Sequence, residues 1–500
     1  MTLPWFFRRA PKRREGRAGA PNLEELLEGR SRLLRPVVLI LTLSSSLGLA
    51  VYAMMRFLPP RPYGIATDYR VFYAAAKLLS SGHNPYPAAA LNAAEQSVQH
   101  YHILQPALDS FAYLPITATL LEPLTKLPFW ASYLVFTALG VSATVTVITF
   151  LAKDFEWSHG GVLVVGTLIS WVTLLGFTSG QFDALLLAVL IGSMLLAWRD
   201  HPLPAGLLMG LVWMKPDLLW PAPLFLFLAL WPSRRAAAKF AAGFILTTIA
   251  CLFTNHQLLP TWFTAVRNFS HSIGTTQPDL AGLPALAQAA PSSWHLSTGL
   301  LAPGSVIVIL ASLVAMGLFA VWMLRSPEWS HLTPVTRIAW GVALPVGLWL
   351  VATPYAHTND DLLLLPLLML TLGRDLRRVN GPGLGLSLAV VIWILLIWPG
   401  GVIPPLPGLA VLAAVGVFVW KSRTNPYLTG FGAGLALLCF AFLPPVAPWH
   451  LLAVSLTPVA ALVLVVEGCR VCWSEVGGAS FAHLAWFHRK SYAEIQVPSQ

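Results

Sequence analysis

Leu203-Pro-Ala-Gly-Leu-Leu-Met-Gly-Leu-Val-Trp213, then Met-Lys-Pro-Asp217, then Leu218-Leu-Trp-Pro-Ala-Pro-Leu-Phe-Leu-Phe-Leu-Ala-Leu-Trp231, is one apolar stretch broken in its middle by a lysine, a proline and an aspartate. Arg199 precedes it, and Arg234 and Arg235 follow. Basic groups at both ends favour the cytoplasmic side of a bilayer for both. The stretch is therefore expected as two short half-helices, up and back, with Lys215 at the tip. Polar backbone at membrane depth is tolerable only where it lines a protein cavity.

Working outward from this hairpin, the chain is apolar almost throughout. Its 500 residues are 56% hydrophobic and 10% charged, with 20 Trp, and mean hydropathy is +0.68. A soluble domain carries roughly 25% charged residues, so this composition excludes one. Runs of spanning length fall at about 36–58, 128–152, 161–178, 183–198, 236–254, 303–325, 334–352, 358–373, 383–403, 406–420, 428–444 and 449–467,. The expected fold class is an all-α polytopic integral membrane bundle of about 12–14 membrane helices,. No internal repeat is evident.

The formal charge of +10 is no nucleic-acid footprint, because of where the cations fall. Nine Lys/Arg crowd residues 1–35, a basic arm suited to anionic headgroups on the cytoplasmic face. With the N-terminus inside, 24 of the 31 Lys/Arg lie on the inner side, as the positive-inside rule requires. A multi-pass cell-membrane protein with both termini cytoplasmic is expected. Its parts are the arm 1–35, a membrane module 36–375, further spans 376–470 and a tail 471–500. Cys251, Cys439, Cys469 and Cys472 suggest no disulfide framework, and the Cys469-Arg-Val-Cys472 spacing reads as incidental,.

Two long loops, 59–127 and 255–302, fall on the outer side and have room for short helices lying on the membrane surface, with suitable periodicity at Val71–Leu79 and Phe111–Leu121,. Gly82-His-Asn-Pro-Tyr86 reads as a helix stop and turn. The unusual polar residues converge on this same side. They are Asp68, Tyr69, Arg70, Lys77 and Asn84, the turn Gly180-Gln-Phe-Asp183, Lys215-Pro-Asp217, Asn268-Phe-Ser-His271, Trp294-His295, and Thr353 to Asp361.

Lys215 has two readings: a snorkelling lysine paired with Asp217, or a ligand for a phosphate at the lipid interface, aided by the start of the second half-helix. Asp68 is either a solvated loop acid or a general base, since a positioned carboxylate that takes a hydroxyl proton accelerates transfer. His271 and His357 are candidates for binding phosphate or sugar hydroxyls. Asp360-Asp361 reads as a carboxylate pair at a helix start rather than a cation site, which normally draws oxygens from more than two residues. No metal or cofactor is expected. Asn268-Phe-Ser270 matches a glycosylation acceptor, a short pattern common by chance.

Several of these stretches together resemble glycosyltransferase family 87. They are Asp68 followed by an aromatic, small-residue helix and Gly82-His-Asn-Pro-Tyr86; Phe111-Ala-Tyr-Leu-Pro115 with Glu122-Pro-Leu-Thr-Lys-Leu-Pro128; Gly180-Gln181 with Gly206, Gly210 and Lys215-Pro216; and Pro354 with His357. The resemblance spans roughly residues 60–365. It implies a GT-C-like membrane fold and a sugar carried on a polyprenyl phosphate, mannose or arabinofuranose. It also implies inverting transfer to an extracytoplasmic glycan or glycolipid hydroxyl. Asp68 would be the base, and Lys215, His357 and Arg267 would hold the phosphate. Arg70, Tyr73, Asn84, Gln181 and His271 complete the implied substrate-binding set. The partners implied are donor, acceptor and bilayer. A lipid or anion transporter is the competing class, since a broken hairpin with a lysine tip suits anion binding; long outer loops and the lack of repeats speak against it. A bare scaffold leaves Asp68 and Lys215 unexplained.

Overall fold

The computed structural model describes residues 66–98, 111–155, 180–272, 282–285 and 303–377, with isolated residues between 167 and 179 and parts of 461–476. The basic arm, the spans expected at 36–58, 383–403, 406–420 and 428–444, and most of those at 161–178 and 449–467 lie outside the described residues. So does the tail beyond 476. Among the described residues the chain is helical, without strands.

In chain order the helices are α1 (Thr67–Ser80), α2 (Ala88–Val98), α3 (Pro115–Leu121), α4 (Phe129–Asp154), α5 (Asp183–Trp198), α6 (Pro202–Met209), α7 (Pro216–Leu219), α8 (Pro221–Leu230), α9 (Arg234–Phe253), α10 (Leu259–Ser272), α11 (Pro303–Arg325), α12 (Pro327–His331), α13 (Pro334–Ala352) and α14 (Leu365–Arg377). Tight 3₁₀ turns join several of them, notably Gly210–Met214 and Thr358–Leu364. Among the described residues four helices, α4, α9, α11 and α13, are long and apolar enough to cross a membrane.

The broken stretch folds as the expected hairpin. Gly206 lies against the backbone of Phe240 and Phe244, and Gly210 against Thr247. Thr247 Oγ1 donates to the Leu207 carbonyl at 3.0 Å and Trp213 Nε1 to Thr248 Oγ1 at 2.9 Å. Residue numbers rise together along this seam, so α6 and α9 run in the same direction. On the return arm the numbers run oppositely: Arg337 Nε meets the Ala229 carbonyl at 2.7 Å and Trp349 Nε1 meets that of Asp217 at 2.6 Å. Lys215 therefore lies at the end where α9 and α13 finish. Glycine sets the closeness of the first seam. A Cβ on Gly206 would stand 2.0 Å from the Phe240 carbonyl oxygen, and one on Gly243 2.3 Å from that of Leu203. Small residues let membrane helices approach backbone to backbone.

Helix lengths then create a recess. Helices α4 and α5 are tied at one end, where Asp154 accepts from Arg199 Nε (3.0 Å), Arg199 Nη2 (2.7 Å) and Trp198 Nε1 (2.7 Å). From there α4 runs 26 residues and α5 only 16, about 39 Å against about 24 Å at 1.5 Å per residue. The start of α5 thus stops about 15 Å short of the start of α4. Gly140, eleven residues into α4, faces Ala184 at the head of α5, as this offset requires.

Helix α1 fills the recess, so it does not lie on the surface as its periodicity suggests. Tyr69, Val71, Phe72, Tyr73 and Ala74–Ala76 are all buried. Tyr69 packs against Phe129, Tyr133 and Phe136 of α4, and its hydroxyl is 2.5 Å from Ser132 Oγ. The stop at Gly82 (φ +74°) is as expected, with the Asn84 carboxamide oxygen accepting the Tyr86 N–H at 3.0 Å.

Replacing Gly206 with alanine should force α6 and α9 apart and cost on the order of 1–3 kcal/mol, as overpacking does. Gly317→Ala, whose added Cβ meets nothing within 4 Å, should leave thermal unfolding in detergent unchanged or slightly raised. Equal unfolding midpoints for the two variants would contradict the close seam.

Candidate active site at the floor of the recess

The site begins at a turn that only glycine can make. Gly180 has φ +80°, and the N–H groups of Gly180 and Gln181 both donate to the Gly176 carbonyl, at 2.9 and 2.8 Å. A Cβ on Gly180 would lie 2.4 Å from Tyr69 Cβ. This contact presses α1 onto the turn, and the neighbouring residues meet across it. Gln181 Nε2 donates to Asp68 Oδ2 at 2.9 Å. Asp68 stands in the first turn of α1, half-buried, where a carboxylate suits the helix dipole,.

Below lies a second cluster. Lys215 caps α7 and is 5% exposed. Its Nζ lies 2.6 Å from Asp360 Oδ1 and 3.5 Å from Asp183 Oδ1. Asp360 Oδ2 accepts the backbone N–H of His357 at 2.8 Å, and the His357 side chain accepts the Asp360 N–H in return. Asn359 Nδ2 donates to Asp183 Oδ2 at 2.6 Å. Asp361 is fully enclosed, and its Oδ2 has no hydrogen-bond partner. The ammonium thus pairs with Asp360 and Asp183 rather than with Asp217, the partner that proximity in sequence suggested. Asp360 and Asp361 do open a helical turn, as read from the sequence.

Tyr113 connects the two clusters. Its ring meets Phe72 of α1 edge-on at 4.9 Å and lies 6.3 Å from Phe182, while Phe72 and Phe182 stand 4.6 Å apart. Burial pushes its hydroxyl well above the ordinary tyrosine range; Lys215 pulls it back, and Asp68, Asp217 and Asp360 push it further up. The phenol is therefore a neutral donor at physiological pH, within electrostatic reach of both Asp68 and Lys215.

The remaining expected site residues are placed as follows. Arg70 Nε donates to buried Glu95 of α2 at 2.9 Å. The Tyr73 hydroxyl donates to the Leu127 carbonyl at 2.8 Å. Asn84 Nδ2 reaches Thr261 Oγ1 at 3.3 Å, tying the first outer loop to α10. Arg267 is exposed on α10, and the side chain of His271 lies outside the described residues. His357 is half-buried beside the lower cluster. The structure therefore gathers Asp68, Gln181, Lys215 and His357, and holds Arg70, Tyr73 and Asn84 in local contacts. Asp183, Asn359 and Tyr113 were not chosen from sequence. Asp183 has the plainest signal: it is an acid heading a 16-residue apolar helix, and the next cation, Arg199, stands at the opposite end of that helix, where it pairs with Asp154.

Residues 111–351 match the model of Glycosyltransferase family 87. The resemblance read from the sequence stands over that range, and the match indicates a glycosyltransferase. Comparison with curated proteins and with solved structures gave no match. The family 87 match takes in Tyr113, Gln181, Asp183 and Lys215 but begins after Asp68 and ends before His357. Asp68 joins the matched region through its hydrogen bond to Gln181, and Asp360 through the Lys215 bridge.

Removing one partner of a buried pair leaves an uncompensated charge and costs about 3–5 kcal/mol. Lys215→Met should accordingly lower the thermal unfolding midpoint in detergent, and a second change, Asp360→Asn, should recover part of the loss. A double variant no more stable than Lys215→Met would exclude this pairing.

Proposed function

We propose that this chain transfers a sugar from a polyprenyl-phosphate donor, mannose in the first instance and arabinofuranose as the variant, to a hydroxyl of an extracytoplasmic glycan or glycolipid. The observation that carries this reading is the seating of Asp68 on Gln181, inside the recess and against the part of the chain that matches family 87. A carboxylate fixed beside a neutral phenol and above a buried lysine is the equipment of hydroxyl activation against a phosphate leaving group.

In the proposed step Asp68 accepts the proton of the acceptor hydroxyl. The oxygen attacks the anomeric carbon as the bond from that carbon to the phosphate oxygen breaks. Polyprenyl phosphate departs with the bonding electrons, and the anomeric configuration inverts. Charge grows on the departing phosphate, and fixed donors aimed at growing charge dominate such catalysis. Tyr113 and His357 are the donors proposed there. Lys215 shares its charge with Asp360 and Asp183, so its direct contact with phosphate needs the Asp360 bridge to loosen as the anion arrives.

An extracytoplasmic site is supported by the charge pattern. Lys153, Arg199, Arg234, Arg235 and Arg325 fall at helix ends opposite Lys215, which the positive-inside rule assigns to the cytoplasm. The exposed apolar side chains of α4, α9 and α11, Leu134, Leu246 and Leu318 among them, suit contact with lipid.

In proteoliposomes supplied with radiolabelled polyprenyl-phosphate mannose and a cell-envelope glycolipid extract, Asp68→Asn should reduce transfer roughly 10²–10⁴-fold while unfolding at the wild-type temperature. Undiminished transfer would remove Asp68 as the base.

A further inference from the structure

Gln181 has two ends with different surroundings. Its Nε2 is spent on Asp68 Oδ2 at 2.9 Å, while its Oε1 is enclosed and has no hydrogen-bond partner. The reverse amide orientation would set oxygen against a carboxylate oxygen, so an ionised Asp68 fixes which end faces it. Gln181 also lines a narrow cleft between α4 and α5, with Phe136, Gly140, Phe177 and Gly180, which has no room for a water molecule in this conformation and must widen for a ligand to reach the oxygen. A buried amide oxygen without a donor costs on the order of 1–3 kcal/mol, and a ligand hydroxyl removes that cost.

The backbone around this hydrogen bond is unusually constrained. Gly180 and Tyr69 make the contact that excludes any side chain on Gly180, and Gln181 and Asp68 are their immediate chain neighbours. Tyr69 is itself held by four aromatic rings and Ser132. The carboxamide therefore approaches Asp68 from a fixed turn, not from a swinging loop.

We propose that Gln181 is the positioning residue for Asp68 and a specificity contact for the acceptor. Its amide N–H orients the carboxylate and favours the ionised form that takes the proton, and its Oε1 accepts a hydrogen bond from a second hydroxyl of the acceptor sugar. The proposal rests on Asp68 being the base. It limits acceptors to those with a hydroxyl neighbouring the one glycosylated.

The test measures transfer from polyprenyl-phosphate mannose to the glycolipid extract across pH, with donor and acceptor KM, for wild type, Gln181→Met and Gln181→Glu. A hydrogen bond to the charged form of an acid lowers its pKa, and losing it raises the pKa. In Gln181→Met the acidic limb of the profile should move up by about one pH unit. Apparent acceptor KM should rise about tenfold for one lost hydrogen bond, with donor KM unchanged. Gln181→Glu keeps an acceptor oxygen but sets a like charge beside Asp68, so its acidic limb should move further up while acceptor KM stays near wild type. An acidic limb unmoved in both variants, or a fall in transfer uniform across pH, overturns the proposal while Asp68→Asn still abolishes transfer. Full transfer by Asp68→Asn overturns the base itself, and the role of Gln181 with it.

Discussion

The bridge from Lys215 to Asp360, with Asp183 behind it, is the constraint on which the rest of the described structure hangs. Burying an ammonium and two carboxylates carries a desolvation penalty of several kcal/mol per ion, which the mutual attraction of the three charges and further hydrogen bonds to the two acids offset. His357 and Asn359 supply hydrogen bonds to the acids. The bridge joins three pieces far apart in sequence: the head of α5, the tip of the hairpin and the turn after α13. Replacing such a cluster with hydrocarbon would often cost a protein nothing in stability. Stability alone therefore does not account for charge at this depth, and the proposed transfer gives it a use.

Depth is set by length. Because α5 and both hairpin arms are short, their polar ends stop well inside the level reached by α4, and a hydrophobic bilayer would seal over the gap. The chain fills it with its own α1. Burial of three aromatic residues and three alanines holds that helix down, and the same packing delivers Asp68 to Gln181. Stability and the proposed catalytic geometry share one set of contacts here: the ring of Tyr69 that fills the recess belongs to the residue beside Asp68.

Much of this was legible in the sequence, for identifiable reasons. Proline and lysine inside an apolar run announce a break, and arginines at both ends announce that the chain returns, so the hairpin could be read directly. The Gly82 stop and the Gly180 turn were legible because few residues other than glycine tolerate positive φ. The partners of Lys215 were not, since Asp360 is 145 residues away and nothing local distinguishes it from an ordinary helix-start acid. The burial of α1 was equally hidden. Periodicity reports that a helix has an apolar face, but whether that face meets lipid or protein depends on the difference in length between α4 and α5. Arg337 lies inside the apolar run expected at 334–352, yet is 8% exposed because it donates to the Ala229 carbonyl, a partner 108 residues away that nothing local in the sequence singles out.

The two clusters stand apart, yet they are not independent. Phe72 belongs to the helix that carries Asp68, Phe182 lies between Gln181 and Asp183, and Tyr113 packs on both rings. A shift of α1 would therefore move the phenol together with Asp68, and a change in the charge on Lys215 or Asp360 would be felt by the same phenol. Among the described residues, Tyr113 lies within electrostatic reach of Asp68 as well as of Lys215 and Asp360. The aromatic contacts of Phe72, Tyr113 and Phe182 thus link the helix that carries Asp68 to the turn that precedes Asp183. For the proposed transfer this matters, because fixed charges and dipoles stabilise a growing negative charge without the cost of reorganising.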